Sequence, residues 1–389
     1  LACLDDLTAA LAPRLDELLT PALVIDLDAV DHNTAAMLAR VGARARWRPH
    51  IKTLKQSFLV KGLMHAGIGR LKCATLDELA LALDTAERVH PEGEIDVMLA
   101  YPPHRGVLGG VLGLLAEHEG ARVRIVADAP DHLEQLAAWV AEHGAADHRR
   151  LSVMLEVDTG MHRTGSAPAV WHAAMPRVHA LTGLRLSGLH GYEGHVGWDD
   201  ADAARQGYDA LVELAKAMAA DDVECIVTSG THAYRHALGH PGLAAGPWRH
   251  EVSPGTVVLS DLHSGPAARD LGLRQAAFVL TRVVSQPDEG RITVDAGSKG
   301  IAPDRPAPSC RVLGWPGLTA QTPSEEHLPL TVDEAGAPAR GTALLLVPDH
   351  VCTTVNLYRQ VIYVRGPKWA GIGDIEAHSR TLRLSDRRP

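Results

Sequence analysis

Arg48-Pro49-His50-Ile51-Lys52-Thr53 sets three basic side chains at what reads as the end of a short strand, Ala45 to Arg48. Alternate side chains of an extended segment share a face, so Arg48, His50 and Lys52 are expected on one side and Trp47 and Ile51 on the other. Three cations in a row do not fill a core without partners. A cation beside Lys52 disfavours its ammonium form and favours the free amine, which attacks carbonyls to make Schiff bases. Lys52 and His50 are therefore the catalytic candidates. Lys55 and Lys299 are rivals, placed second because Lys52 sits at a strand end on the His50 face. Arg48 and His50 are also within reach of a substrate carboxylate. The plainer alternative is a solvated basic loop.

His350-Val351-Cys352 is the candidate metal pair. At i, i+2 on an extended segment, imidazole and thiolate lie on the same side and can share one cation. That donor set suits zinc and does not suit magnesium or calcium. With two ligands close in sequence, the others come from water, substrate or a distant residue, as at a catalytic zinc. The competing reading is a buried cysteine beside a satisfied histidine. Ser229-Gly230-Thr231 after a strand, and Gly255-Thr256 after Pro254, offer backbone amides and hydroxyls that could hold a phosphate. Asp158–Gly165 supplies a flexible turn and an inward arginine, Arg163. No GxGxxG follows a strand and no GxxxxGK occurs. His232, His236 and His240 fall four apart, as a stripe on a helix surface.

These residues need a frame. From about residue 22 to 260, short apolar runs alternate with helical patterns. Eight runs read as strands: Ala22–Leu27, Ala45–Arg48, Arg70–Ala74, Ile95–Ala100, Arg122–Ala127, Leu151–Val157, Leu186–His190 and Cys225–Thr228. Helix character follows each, which predicts a (β/α)8 TIM-like barrel rather than an open sheet. Thr75-Leu76-Asp77-Glu78 is a capping box opening one helix. Polar and glycine-rich residues cluster just after the strands, where barrels place their active sites. Beyond about residue 262, β-like runs take over at Phe278–Ser285, Arg291–Asp295, Ala343–Val347 and Val361–Val364. The division expected is an N-terminal segment, 1–21, packing on a β domain; a barrel, 22–261; and a mostly-β C-terminal domain, 262–389, carrying the metal motif.

Length of 389 residues favours two domains. Hydrophobic content of 46% and charged content of 22% are those of a globular protein. A net charge of −9 without a basic cluster argues against nucleic acid as partner. No stretch reaches the roughly 18 apolar residues of a membrane span, and Leu1 to Pro21 is acidic and amphipathic rather than basic then apolar. Five scattered cysteines form no disulfide framework, which points to a reducing, cytoplasmic compartment.

Thr20–Asp28, Arg48–Thr53, Asp158–Gly165, His190–His195, Glu251–Thr256, Asp295–Lys299 and Pro348–Leu357 occur in an order that resembles the D-threonine aldolase and D-serine dehydratase family, a branch of the alanine-racemase-like pyridoxal-phosphate enzymes. The resemblance covers nearly the whole chain. It implies a cofactor-binding barrel with a C-terminal β domain, as a homodimer. It also implies that Lys52 carries pyridoxal 5'-phosphate (PLP) as a Schiff base, with Arg163 near the phenolic oxygen and Tyr192 against the ring. Ser229, Gly230, Thr231, Gly255 and Thr256 would bind the phosphate. His350 and Cys352 would hold zinc, or another divalent cation such as Mn2+. Two departures stand out. The family usually shows Gly-Gly after the serine of its phosphate loop, where this chain has Gly230-Thr231. Where alanine racemases place an arginine on the pyridine nitrogen, this chain has Ser253.

The resemblance implies a lyase acting on a D-β-hydroxy amino acid. PLP stabilises negative charge at Cα, and zinc near the β-hydroxyl makes hydroxide a tolerable leaving group. The family's dehydratases resemble His-x-Cys while its aldolases more often carry a carboxylate there, so Cys352 points to β-elimination to a 2-oxo acid and ammonia. Retro-aldol cleavage to glycine and an aldehyde is the alternative, which Thr354–Tyr358 resembles as much. Racemisation and non-catalytic PLP carriage rank below both.

Overall fold

The computed structural model describes residues 4–89, 95–142, 150–334 and 336–381. Strands are numbered in chain order: β1 (Ala22–Asp26), β2 (Arg70–Cys73), β3 (Ile95–Leu99), β4 (Ala121–Ala127), β5 (Leu151–Val157), β6 (Arg185–Gly191), β7 (Cys225–Thr228) and β8 (Arg249–Val252). There follow β9 (Ala277–Asp288), β10 (Arg291–Val294), β11 (Cys310–Val312), β12 (Leu318–Ala320), β13 (Leu328–Val332), β14 (Ala343–Pro348), β15 (Gln360–Arg365) and β16 (Lys368–Asp374). Two compact units interleave along the chain: Val41–Lys52 with Leu59–Gly255 in one, and residues up to Arg40, Thr53–Phe58 and Thr256–Ser379 in the other.

In the first unit, β2 to β8 form seven parallel strands in sequential order. Helices Leu76–Val89, Arg105–Glu117, Pro130–Glu142, Pro168–His179 and Ala201–Ala217 follow β2 to β6. The capping box forms: the Glu78 amide donates to Thr75 Oγ1, and the Glu78 carboxylate accepts from the Ala74 amide. The eighth position is taken by the segment 47–50, which bridges both edge strands. Trp47 pairs with Val252 of β8 and His50 with Lys72 of β2. The Arg48 amide donates to the Val252 carbonyl, and the Lys72 amide to that of Pro49. The barrel interior is apolar around Met98, Val126, Met154, Cys225 and Val227. Elsewhere in this unit Arg48, Arg124, Asp96 and Glu251 form a buried ion network.

In the other unit a nine-stranded sheet runs β10-β13-β12-β11-β14-β9-β1-β15-β16, and an additional β9–β10 pairing closes six of these strands into an antiparallel barrel. Val279, Ile292, Val294, Leu328, Leu330 and Leu346 fill one face. On another face, Leu7, Ala10 and Leu11 of the helix Leu4–Leu11 pack against Val24, Phe278, Val347 and Ile362.

Three strand expectations need correction. Ala45–Arg48 is not a strand: Arg44–Arg46 form a 3-10 turn, and Trp47 makes only an isolated bridge to Val252. Ala22–Leu27, expected first in the parallel barrel, forms β1 between β9 and β15 of the nine-stranded sheet. A five-residue apolar strand suits any sheet that covers it on both faces, and sequence order does not say which. Conversely β8 went unrecognised because its Arg249-His250-Glu251-Val252 run is polar. Its Glu251 is matched by Arg48 rather than by water. Among the described residues, no helix is long and apolar enough to cross a membrane.

Candidate active site

Lys52 lies in a tight 3-10 turn, Ile51–Thr53, rather than on an extended strand. Its backbone amide faces His50 Nδ1 at 3.4 Å. Strand alternation therefore ends at His50, and the expected Arg48 face is not formed. Arg48 is wholly buried, with Nε 2.5 Å from Glu251 and Nη1 2.8 Å from Asp96. Its Nε and Nη1 are spent on these groups, and Nη2 is buried without a partner, so the guanidinium is closed off from solvent. The turn is held from behind by Gly255: a Cβ there would collide with the His50 carbonyl oxygen.

The cation beside Lys52 is Lys72 of β2. Burial pushes the Lys72 amine down to about 7, and the charge of Lys52 adds to the effect. Lys72 Nζ lies 2.8 Å from His190 Nε2 of β6. Burial, then Lys72, lowers the His190 imidazole to about 4, so it is neutral at pH 7. His190 Nδ1 is 3.5 Å from Glu156 without making a hydrogen bond, and Nε2 of the neutral ring can accept from Lys72. Burial opposes ionisation of Glu156, yet His190 and Thr164 hold its carboxyl below the usual range. Burial raises Glu193 to about 7 against its bonds from Thr159 Oγ1 and the Ser229 amide. Tyr192 presents its ring between two cations, Arg163 at 4.9 Å and Lys72 at 5.6 Å from the centroid. Arg163 is solvent-exposed rather than inward.

Of the expected phosphate residues, Ser229 adopts a left-handed backbone (φ 55°) and its amide is already given to Glu193. Gly230 lets the chain pass the Tyr192 ring, which a Cβ would approach to 3.1 Å. Thr231 is buried nearby in the same turn. Ser253 Oγ, at the end of β8, is buried without a partner. An aromatic face, a glycine cradle, a half-buried lysine and an unspent hydroxyl suit the PLP implied by the sequence: Ser253 can donate to a pyridine nitrogen, and Tyr192 can lie against a ring.

The metal pair is in the other unit. His350 is the residue before the helical turn Val351–Val355, so Cys352 lies on a turn and not on an extended segment. The pair still meets: a hydrogen bond to Cys352, followed, against burial, by the charges of Cys352 and Asp304, raises the His350 imidazole to about 9. Asp304 Oδ2 accepts from His350 Nδ1 at 2.5 Å, and Thr353 Oγ1 secures the other carboxylate oxygen at 2.9 Å. Ligation thus falls to Nε2, with the carboxylate backing that metal-binding histidines use. Cys352 Sγ also touches the hydroxyls of Thr53 (3.0 Å) and Thr256 (3.4 Å), so Thr256 faces the thiol. Among the described residues no third His, Cys, Asp or Glu completes a metal set. The pair fits an open site.

The rival lysines are otherwise engaged. Lys55 Nζ donates to the Ala377 carbonyl, and exposed Lys299 pairs with Glu325 and Glu326. Nor do the three histidines form a stripe: only His236 lies in the helix Tyr234–Leu238, while buried His240 caps the next helix and meets Asp209. Sequence reasoning missed Lys72, Glu156, Glu193 and Asp304. Lys72 had a signal, a cation set between Leu71 and Cys73 on a short strand. Asp304 had none, being 46 residues from His350.

Residues 25–260 match the family described as alanine racemase, N-terminal domain, and residues 276–364 match the putative serine dehydratase domain. The chain is 27% identical over 371 residues to a D-threonine aldolase of Arthrobacter sp, covering 92% of each. It is 29% identical over 370 residues to a D-threo-3-hydroxyaspartate dehydratase of Delftia sp. (strain HT23), covering 86% of this chain and 91% of that one. The crystal structure of D-threonine aldolase from Filomicrobium marinum superposes with a TM-score of 0.79 at 26% identity, covering 94% of this chain and 97% of the other. The chain therefore belongs to the alanine racemase N-terminal domain family, in the branch whose barrel is joined to a serine dehydratase domain and which includes D-threonine aldolases and D-3-hydroxyaspartate dehydratases.

Proposed function

We propose that this protein is a PLP- and zinc-dependent lyase that eliminates water from a D-β-hydroxy amino acid, giving a 2-oxo acid and ammonia. The observation that carries this reading is the His350–Cys352 pair with Asp304 behind the imidazole, a soft, open donor set. PLP, when bound, supplies a sink for negative charge at Cα, and a zinc ion supplies Lewis acidity toward a hydroxyl oxygen.

The chain's own residues have separable tasks. Lys52 would hold the cofactor through its amine, and that amine is the group proposed to accept the Cα proton. His50 Nδ1 is turned to the Lys52 amide, which sets the imidazole beside the turn that carries the lysine. Tyr192 and Gly230 would bound the ring, the unpartnered Ser253 hydroxyl could meet its nitrogen, and Arg163, stacked on Tyr192, would offer a cation. The Thr231 and Gly255-Thr256 segments are the remaining candidates for the phosphate, since the Ser229 amide is engaged. His350 and Cys352 hold the cation, and Asp304 fixes which imidazole nitrogen faces it.

Retro-aldol cleavage to glycine and an aldehyde is the second reading, favoured by the similarity to two D-threonine aldolases. Incubating the PLP- and zinc-loaded protein with D-serine, D-threonine and D-threo-3-hydroxyaspartate separates the two. Ammonia with a keto acid supports elimination; glycine with an aldehyde replaces it by the aldolase reading. We also propose a cytoplasmic homodimer, in which the exposed Phe58 and Ile372 are apolar surface that an interface would cover.

A further inference from the structure

Lys72 sits in β2 between Leu71 and Cys73, all three buried. An ammonium carries three donors and no acceptor. His190 Nε2 takes one of them at 2.8 Å. Among the described residues no carboxylate lies within ion-pair distance of Nζ, and the Tyr192 ring face is its other neighbour. The charged groups around it come from four segments: Lys52 and Arg48 before β2, Glu156 on β5, His190 on β6, and Glu193 just after β6. The two carboxyls favour the ammonium from a distance while Lys52 and Arg48 oppose it. A buried cation with unspent donors is destabilising. Such a group is complete when an anionic oxygen arrives beside it.

We propose that Lys72 is an anion-binding residue of the Lys52 site: on ligand binding its amine takes a proton from solvent and, as an ammonium still bonded to His190, holds an anionic oxygen. That oxygen is either the ionised ring phenol of the cofactor or a carboxylate of the amino acid. The inference rests on the PLP reading and deepens it by naming a charged contact that the sequence did not supply. Two bonds form, N–H on Lys72 and N–H···O to the ligand. None breaks in the chain, and the proton is drawn from water.

Calorimetry in buffers of differing ionisation enthalpy counts the protons taken up. At pH 8, apoprotein is titrated with PLP, and the loaded protein is then titrated with D-alanine, which has no β-hydroxyl to lose. Wild type is expected to take up nearly one more proton than Lys72→Met at one of the two steps. Uptake in the PLP step assigns the phenol; uptake in the D-alanine step assigns the carboxylate. At that step Lys72→Met should bind roughly 10- to 100-fold more weakly, the loss of a charge-assisted bond. Lys72→Arg should recover affinity without the extra proton. Lys72→Gln serves if the methionine variant does not fold. A purely structural lysine would move the melting temperature and leave the proton count unchanged. Equal uptake by wild type and variant at both steps overturns the proposal. If wild type develops no visible PLP absorbance, the cofactor reading fails, and this inference with it.

Discussion

Arg48 Nε lies 2.5 Å from a carboxylate oxygen of Glu251, the two side chains wholly buried and 203 residues apart. This pair joins the segment that ends in Lys52 to β8. Removing one partner strips the other of one of its two close ion pairs, since Arg48 also meets Asp96 and Glu251 also meets Arg249. Glu251→Ala or Arg48→Ala should lower stability by about 1–3 kcal/mol, and Arg48→Met with Glu251→Leu by less than the sum of the two single losses. Denaturant unfolding of the three variants checks it; additive losses in the double variant would contradict the pairing.

Gly255 is the second support of that segment. Gly255→Ala drives a methyl into the His50 carbonyl oxygen, so a loss of about 1–3 kcal/mol is expected. Because the His50–Lys52 turn must shift, PLP retention through gel filtration should fall as well. Unchanged retention would separate the glycine from the turn.

For the lysine itself, Lys52→Ala should abolish the visible absorbance of the lysine-bound cofactor while leaving the circular dichroism spectrum intact. Borohydride treatment of wild type followed by peptide mapping should place the cofactor on residue 52. Label on Lys72 or Lys55 instead would refute the assignment.

Metal holding is predicted to depend on three residues. Cys352→Ala, or chelation, should remove turnover and leave bound PLP. Asp304→Asn should weaken metal affinity about 10- to 100-fold, the usual effect of removing the carboxylate behind a ligating histidine. Competition with a colorimetric chelator measures it. Full activity of metal-free wild type would sink the zinc role.

The pH dependence of stability follows from Glu193, whose folded pKa is raised by burial from 4.5 to about 7. Between these values Glu193 binds more of its proton in the folded apoprotein than in the unfolded chain, so its own contribution to stability falls as pH rises, while His190, lowered to about 4, and His250, lowered to about 3, contribute the opposite slope up to about pH 6.5. Lys72, lowered from 10.5 to about 7, acts in the next window. There the unfolded chain binds more protons, and stability should rise with pH from 7 toward 10.5. Glu193→Gln should remove the falling contribution and so steepen the rise of stability below pH 7, and Lys72→Met should flatten the rise above it. A thermal unfolding series across pH 4 to 11 gives both slopes, and a variant retaining the wild-type slope would reject that assignment.

Much of this protein was fixed locally and so could be read from the chain. The parallel strands from Arg70 to Thr228 announce themselves as apolar runs between helical patterns, because hydrophobic burial repeats with the period of each element. The Thr75–Glu78 cap is readable since both partners lie within one turn. Lys52, His350 and Cys352 stood out because their chemistry is rare at such spacing. Long-range pairing decided the rest. β1 joins the nine-stranded sheet although its apolar run suits either sheet. β8 is hidden by its charges, of which Glu251 finds its buried partner Arg48 203 residues away. The cation beside Lys52 proved to be Lys72, since a tight turn cancels strand alternation and the barrel brings β2 to bridge His50. Sequence sets which side chains can do chemistry; closure of the barrel sets which of them are desolvated together, and desolvation is what shifts their proton affinities.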